Sequence, residues 1–260
     1  MTQAGENLFD LTGKVAVVTG GSRGIGRAIV RGYARAGADV VITSRNLDSC
    51  RVLADEIERT TGRTALPYAC HVGHWDQLDG LVEAAYDRFG KVDVLVNNAG
   101  LSPRYDSLTS ISEELWDKVY AVCVKGPFRL SALIGERMVD GDGGSILNIS
   151  TTGATEPYPW GVPYHSAKAG LNNMTVALAK ALGPKVRVNC IMPGAIHTDI
   201  TQQWDMDTFS QFARTALAMQ RIGEPEEIVG AALYFASAAS SYTTGAILAI
   251  EGGHGVVGQP

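Results

Sequence analysis

Short apolar runs alternate with longer amphipathic stretches along nearly the whole chain of 260 residues. Several of these runs are continuously apolar, which is typical of strands that are buried on both faces of a sheet. The alternation predicts a single α/β domain over residues 1–260, in which a doubly wound parallel sheet carries helices on both faces. The predicted strands are 14–19, 39–43, 64–70, 92–96, 145–149, 186–191 and 246–250, and the predicted helices are 24–36, 47–60, 75–89, 112–138, 164–182 and 226–237.

One stretch, Ala195–Arg221, interrupts this alternation. A long excursion before the last helix is often a functional lid, so we expect a substrate lid at residues 195–221. With residues 101–107 and 152–160 it supplies side chains that suit an apolar or ring-bearing substrate: Tyr105, Tyr158, Trp160, Trp204, Met206, Phe209 and Phe212. Phe209 and Phe212 fit the buried face of a short lid helix equally well, and both interpretations stay open.

Charge and cysteine usage exclude several classes of partner. The formal net charge is −5 and no basic run is present, which argues against nucleic acid and anionic membranes. The first residues carry no basic segment followed by an apolar one, so we expect no secretory signal and a cytoplasmic location. The four cysteines are scattered without metal-ligand spacing, and we expect free thiols and no metal site: Cys50, Cys70, Cys123 and Cys190.

A glycine-rich turn follows the first predicted strand and opens a helix, over Thr19–Gly26. Glycine lets the backbone approach a pyrophosphate, and the first amides of the new helix favour an anion. The spacing, Gly-x-x-x-Gly-x-Gly, differs from the usual Gly-x-Gly-x-x-Gly fingerprint, but the strand before it and the helix after it indicate a dinucleotide site. The candidate cofactor-binding residues here are Gly20, Ser22, Arg23, Gly24, Ile25 and Gly26.

The end of the second predicted strand indicates which dinucleotide binds. An acidic residue there would bond the ribose 2′-hydroxyl and repel a 2′-phosphate. This strand ends in Thr43-Ser44-Arg45 with no acid. Arg45 and Arg23 can both offer guanidinium donors to a phosphate. The pair favours NADP(H) over NAD(H).

Tyr164 and Lys168 open a later predicted helix, four residues apart. Positions i and i+4 share a helix face, so the phenol and the ammonium can address one site. A free tyrosine titrates near pH 10, and a neighbouring ammonium or a cationic nicotinamide would lower that pKa toward the working range of an acid or base catalyst.

Taken with their order along the chain, these motifs resemble the short-chain dehydrogenase/reductase family, and within it the 3-oxoacyl-carrier-protein reductases. The resemblance extends from Leu11 to Gly253. It implies a seven-stranded Rossmann fold and hydride transfer between a nicotinamide and a carbonyl or alcohol carbon. The motifs that carry it are Thr19–Gly26, Asn97-Asn98-Ala99-Gly100, Tyr164–Lys168, Pro193-Gly194 with Thr198, and Thr244-Gly245.

The resemblance also implies roles for individual residues. Tyr164 would be the general acid in reduction and the general base in oxidation, and Lys168 would lower its pKa and hold the nicotinamide ribose. Asn98 would contact the cofactor near the adenosine ribose. Ile196 and Thr198 would face the nicotinamide.

Three positions depart from the family pattern. The usual catalytic serine is replaced by Thr151, which offers the same hydroxyl, with Ser150 as the alternative. Cys123 stands where the family has an asparagine that kinks a long helix and anchors a water leading to the lysine. A thiol is a poor hydrogen-bonding replacement, so the resemblance does not extend to this relay, and Cys123 fits a structural thiol in an enzyme that relays protons differently. His71 replaces an aspartate that bonds the adenine, although it and Val72 still suit the cofactor site.

The resemblance therefore favours a reductase of small carbonyl compounds that assembles as a homotetramer or dimer. The mixed-to-acidic end of the long central helix, over 136–142, weighs against docking of an acidic carrier protein. Two alternatives remain: a 3-oxoacyl-carrier-protein reductase, and a cofactor-binding sensor with weak catalysis. The small residues of the 164–182 helix suit close packing, either on another subunit or on the chain's own sheet.

Overall fold

The computed structural model describes residues 7–198 and 206–254. Seven parallel strands form one sheet in the order β3-β2-β1-β4-β5-β6-β7, which confirms the predicted fold class. The strands are β1 Val15–Thr19, β2 Asp39–Ser44, β3 Ala65–Ala69, β4 Val94–Asn97, β5 Gly144–Ile149, β6 Val186–Pro193 and β7 Ile247–Ile250. The helices are α1 Gly24–Arg35, α2 Leu47–Thr61, α3 Trp75–Phe89, α4 Glu113–Tyr120, α5 Gly126–Asp140, α6 Val162–Leu182, α7 Met206–Ala216 and α8 Val229–Ala236.

Two apolar cores lie on opposite faces of the sheet. Side chains of α1, α2 and α8 fill one core, and those of α3, α4, α5 and α6 fill the other. Every residue of β1 and β4 is buried, which explains why both strands are apolar up to their last residues, Thr19 and Asn97. Among the described residues no helix is long and apolar enough to cross a bilayer.

The helix predicted over 112–138 is built in three parts. A π-helical turn, Ala121–Lys125, separates α4 from α5 and contains Cys123. At the start of α5 the backbone passes close to the third strand's exit: a Cβ on Gly126 would lie 2.2 Å from the carbonyl oxygen of Val72. A π-turn shifts the register of a helix by one residue and is frequent at functional sites.

The interrupted stretch at 195–221 contains a helix, α7, over Met206–Ala216. Phe209 and Phe212 pack against a small cluster formed by Ala213, Leu217 and Ile222, as expected for the buried face of a short helix. Both phenylalanines also line the cleft described below, so the two interpretations hold together. Trp204 and the side chain of Met206 lie outside the described residues.

Candidate active site

A cleft of about 1510 Å³ crosses the carboxyl ends of the strands. It passes the point where β1 and β4 are neighbours in the sheet although two other strands separate them in the chain. Parallel α/β sheets bind ligands at such a reversal of strand order. The glycine turn lies at one end, Tyr164 and Lys168 lie in the middle, and a group of aromatic side chains lies at the other end.

The glycine turn leaves no room for side chains. Gly20 and Gly24 have φ angles of +61° and +51°, which favour glycine. A Cβ on Gly26 would lie 2.2 Å from the carbonyl oxygen of Gly20. The N-cap residue of α1, Arg23, is extended and makes no side-chain cap, which leaves the helix's first amides to an anion in the cleft. The backbone cradle therefore fits a pyrophosphate.

Asn98 braces this turn from the end of β4. Its side-chain amide donates to the carbonyl oxygens of Thr19 at 2.8 Å and Gly20 at 3.2 Å. Its backbone N–H donates to the Thr19 hydroxyl at 3.0 Å. The side chain that family resemblance assigns to the adenosine ribose thus also fixes the shape of the glycine turn.

The far side of the turn is basic. Arg23 and Arg45 both line the cleft, and no aspartate or glutamate is among the described residues that line it. His71 stacks on His74 with ring centres 4.4 Å apart and accepts a hydrogen bond from the Gly73 N–H at 3.2 Å. Burial lowers the pKa of His71, and the cationic form is further disfavoured by His74 and Arg45. His71 is therefore a neutral ring at neutral pH.

Four other predicted cofactor residues, Ser22, Ile25, Val72 and Ile196, line the same cleft. The Thr198 methyl group lies 3.6 Å from where a Cβ on Gly24 would stand, so the segment after β6 closes over the glycine turn. Ile196 is buried and forms a bridge with Gly223. Of the predicted cofactor residues, all but Gly26 line this one cleft, and Gly26 packs behind it against Gly20 and Asn98.

Tyr164 and Lys168 project from the first turns of α6. The Lys168 side chain is 2% exposed, and its ammonium donates to the carbonyl oxygen of Ile149 at 2.6 Å. The ammonium lies 5.8 Å from the centre of the Tyr164 ring. Burial raises the pKa of the Tyr164 phenol, with a further rise from Cys123. The shift is thus upward among the chain's own residues, opposite to the lowering expected from Lys168, and burial is its largest cause.

Thr151 and Ser150 differ in what their hydroxyls bond. Ser150 is 4% exposed, and its hydroxyl donates to the carbonyl oxygen of Lys168 at 3.3 Å. The Thr151 oxygen accepts from the Gly153 N–H at 3.3 Å and so keeps its own proton for another partner. Thr151 is the hydroxyl of the two that is left to act as a donor in the cleft.

Cys123 is fully buried in the π-turn beside the phenol of Tyr164. Its thiol donates to the carbonyl oxygen of Leu101 at 3.8 Å, a long contact to the loop that follows β4. The kink expected of an asparagine at this position is therefore present without it.

Aromatic side chains from separate segments form the other end of the cleft. Tyr158 and Trp160 stack with ring centres 5.4 Å apart, and Phe209 and Phe212 lie 6.2 Å apart. Tyr105 has a structural role as well, because its hydroxyl accepts from the Val162 N–H at 2.9 Å and so fixes the start of α6. These rings make an apolar surface beside the catalytic candidates.

His165 supports this end of the cleft and was not identified from the sequence. Its Nδ1 accepts from the Tyr158 N–H at 3.1 Å, and burial lowers its pKa, so the ring is neutral. A Cβ on Gly153 or Gly161 would lie 2.4 or 2.5 Å from the ring. The only sequence signal is that pair of glycines upstream of Tyr164, which has no fixed spacing to a histidine.

The chain is similar to proteins of known activity over most of its length. A family model described as enoyl-(acyl carrier protein) reductase matches residues 20–254. Dehydrogenase/reductase SDR family member 4 of Sus scrofa is 35% identical over 251 residues, covering 94% of this chain and 88% of that protein.

Two solved structures share the fold at substantial identity. A 7α-hydroxysteroid dehydrogenase in complex with NADH and 7-oxo glycochenodeoxycholic acid has 34% identity and a TM-score of 0.90, covering 95% of this chain and 96% of its own. The 3-oxoacyl (acyl-carrier-protein) reductase of Agrobacterium tumefaciens C58 with NADP bound has 30% identity and a TM-score of 0.90, covering 97% of this chain and 98% of its own.

Proposed function

The chain belongs to the short-chain dehydrogenase/reductase family, and we propose that it is an NADP(H)-dependent oxidoreductase acting on a carbonyl or alcohol carbon of an apolar, ring-bearing small molecule. The observation that carries this proposal is the buried Lys168 ammonium beside the Tyr164 phenol, in a cleft that starts at a glycine turn. A protein that only binds a dinucleotide has no need of a proton donor held there.

The residues of the cradle suit the cofactor. The amides of the glycine turn would hold the pyrophosphate, and Asn98, Ile196 and Thr198 would contact the rest of the dinucleotide. Solved relatives hold NADH in one case and NADP in another, so this chain's own side chains must set its preference. Arg23 and Arg45, with no acid lining the described cleft, favour the 2′-phosphate of NADP(H).

A bound nicotinamide supplies or accepts the hydride, and the chain manages the proton. Tyr164 stays protonated at neutral pH because burial raises its pKa, so it can donate to the carbonyl oxygen of a ketone. Thr151 can donate its hydroxyl proton to the same oxygen. Lys168 uses one of its three N–H donors on Ile149 and has two left for ribose hydroxyls.

The substrate end supports a ring-bearing ketone, in keeping with the steroid ligand of the 7α-hydroxysteroid dehydrogenase. A carrier-bound 3-oxoacyl substrate would need a basic docking face. The α5 arginines are instead paired with acids of α3, Arg129 with Asp79 at 2.6 Å and Arg137 with Glu83. These pairs favour a free small molecule over an acidic carrier protein.

We also propose a cytoplasmic homotetramer. All four cysteines are free and buried, which suits a reducing compartment. Large apolar side chains are exposed on α3, α4 and α5, namely Trp75, Trp116 and Phe128. Of the small residues of α6, Ala167 and Ala179 pack on the chain's own fold, while Ala169 and Gly170 are exposed and open to a partner. Light scattering on the purified protein measures the assembly.

The activity is tested by following NADPH absorbance at 340 nm with a panel of cyclic ketones and with a 3-oxoacyl thioester. We expect turnover of ring-bearing ketones and a preference for NADPH over NADH. Tight NADPH binding without turnover of any compound would support the sensor alternative instead. Exclusive turnover of the thioester would support the carrier-protein alternative.

A further inference from the structure

Three polar side chains form a hydrogen-bonded row at the aromatic end of the cleft. The Tyr158 hydroxyl lies 3.3 Å from Nε2 of His254, and Nδ1 of His254 lies 2.9 Å from a carboxylate oxygen of Glu156. Tyr158 and His254 line the cleft itself, whereas Glu156 stands behind the imidazole. None of the three takes part in the proton transfer or cofactor binding proposed above.

Each member of the row is fixed by contacts of its own backbone. The Tyr158 N–H donates to His165, the neighbour of Tyr164 on α6. The Glu156 N–H donates to the Thr152 carbonyl oxygen at 2.9 Å, in the turn that begins at Thr151. His254 forms an antiparallel bridge with Leu217, just after α7. The row therefore joins the segment that leads into α6, the end of α7 and the residues that follow β7.

The hydrogen-bond pattern gives the row a direction. A carboxylate can only accept, so Glu156 selects the tautomer of His254 that carries a proton on Nδ1, and in that tautomer Nε2 is an acceptor. The Tyr158 hydroxyl consequently donates its proton to His254. Its oxygen is left with acceptor capacity only, so a ligand that bonds to it must bring a donor hydrogen.

We infer that Glu156, His254 and Tyr158 recognise a hydroxyl or amine hydrogen on the substrate, at a ring position remote from the reacting carbonyl. This inference rests on the proposed function and narrows its substrate class to ring-bearing ketones with a second, hydrogen-donating polar group. Packing of the rings at this end orients the substrate, since Phe212 lies 5.7 Å from His254 and Trp160 stacks on Tyr158.

The carboxylates nearby disfavour an anionic group at this position. Glu156 and Glu251 both raise the pKa of the Tyr158 phenol beyond the effect of burial, so two carboxylates act on this hydroxyl. A substrate carboxylate would meet the same repulsion and would bring no donor hydrogen. Arg104, on the loop after β4, also lines the cleft, but it is exposed, so solvent screens its attraction for a substrate carboxylate.

The test uses NADPH and a series of cyclic ketones built on one-ring, two-ring and steroid frames. On each frame the ring farthest from the carbonyl carries hydrogen, hydroxyl, methoxy or carboxylate. For wild-type protein we expect the hydroxyl form to exceed the other three by about tenfold in kcat/KM on at least one frame. In Tyr158→Phe the ratio of kcat/KM for the hydroxyl form to kcat/KM for the other forms should fall to within about twofold of one. In Glu156→Gln the same ratio should fall by about threefold.

Tyr242→Phe, a change at a fully exposed tyrosine, is the matched control and should leave the ratio unchanged. The inference is overturned if no frame shows a hydroxyl preference, if methoxy or carboxylate equals hydroxyl, or if the preference persists in Tyr158→Phe.

Calorimetric affinities of the same compounds for the NADPH-loaded protein separate this inference from the proposed function. If the compounds are turned over but Tyr158→Phe does not change the hydroxyl preference in kcat/KM, the inference alone is overturned. Binding without turnover, with a hydroxyl preference that Tyr158→Phe removes, overturns the reductase activity alone. If no compound binds or reacts, both are overturned.

Discussion

The two ends of the cleft are held by different kinds of contact. At the cofactor end the backbone of one short turn provides the surface, and the Asn98 amide bonds two of its carbonyl oxygens. At the substrate end the surface consists of side chains such as Tyr158, Phe212 and His254, which come from three distant segments. At the cofactor end a larger side chain would collide with backbone atoms. At the substrate end one aromatic side chain can be replaced while the others keep their positions. Substitutions should therefore have abrupt effects at the first end and graded effects at the second.

Tyr164 lies where the two ends meet, and its loss should have the largest effect. Tyr164→Phe removes the proposed proton donor while keeping the ring, so we expect kcat for ketone reduction to fall by about a thousandfold. NADPH affinity, measured by fluorescence titration, should stay within about twofold because the glycine turn is untouched. A fall of less than tenfold would mean that another group, such as Thr151, supplies the proton.

Gly26→Ala tests the backbone end directly. The new methyl group would lie 2.2 Å from the Gly20 carbonyl oxygen and 2.5 Å from the Asn98 amide, so the turn must open. We expect NADPH affinity to weaken by about a hundredfold, together with a lower melting temperature.

Gly230→Ala, in α8, is the matched control, because a Cβ there meets nothing within 4 Å. It should leave NADPH affinity unchanged and raise stability slightly. Equal effects of the two changes on NADPH affinity would contradict the role given to the glycine turn.

Arg45→Ala should have a smaller and selective effect. Loss of a guanidinium that bonds the 2′-phosphate should weaken NADPH binding by about tenfold and leave NADH binding nearly unchanged. Arg51→Ala, at an exposed arginine of α2 that pairs with Asp48, is the control and should change neither affinity. If Arg45→Ala weakens NADPH and NADH binding by the same factor, Arg45 does not set the preference for NADP(H).

The same contrast explains what the sequence could predict. The turn around Gly26 and the pair Tyr164–Lys168 depend on residues close in the chain, so spacing alone indicated their roles. The fold followed for the same reason, since the strand and helix periods are local signals. His165 and His254 could not be identified in this way, because each acts through a contact with Tyr158 that only the folded chain creates.

The rise in the Tyr164 pKa, where the sequence predicted a lowering, also depends on contacts that only the folded chain creates. Spacing placed an ammonium near the phenol, but it carried no information on how deeply α6 buries the ring. Desolvation is the larger influence on the pKa, and it depends on packing from several elements.

The smallest expected effect concerns His165, which supports the substrate end, and it appears in the pH dependence of stability. Burial lowers the pKa of His165 below the value of 6.5 for an unfolded histidine. Between the lowered folded value and 6.5 the unfolded chain therefore binds more protons, so stability is full above pH 6.5 and falls as the pH decreases. His71 also has a lowered pKa and contributes a similar loss, so wild-type protein alone does not isolate His165.

His165→Gln removes one titrating group and leaves the other. We expect the melting temperature of wild-type protein to fall by a few degrees more than that of His165→Gln between pH 7.5 and pH 5.5. The comparison uses this pH-dependent difference, because the packing of His165 between Gly153 and Gly161 makes a lower absolute melting temperature expected in the variant. Identical pH dependence in the two proteins would mean that His165 titrates normally. That result would contradict the role of His165 as a neutral acceptor for the Tyr158 N–H.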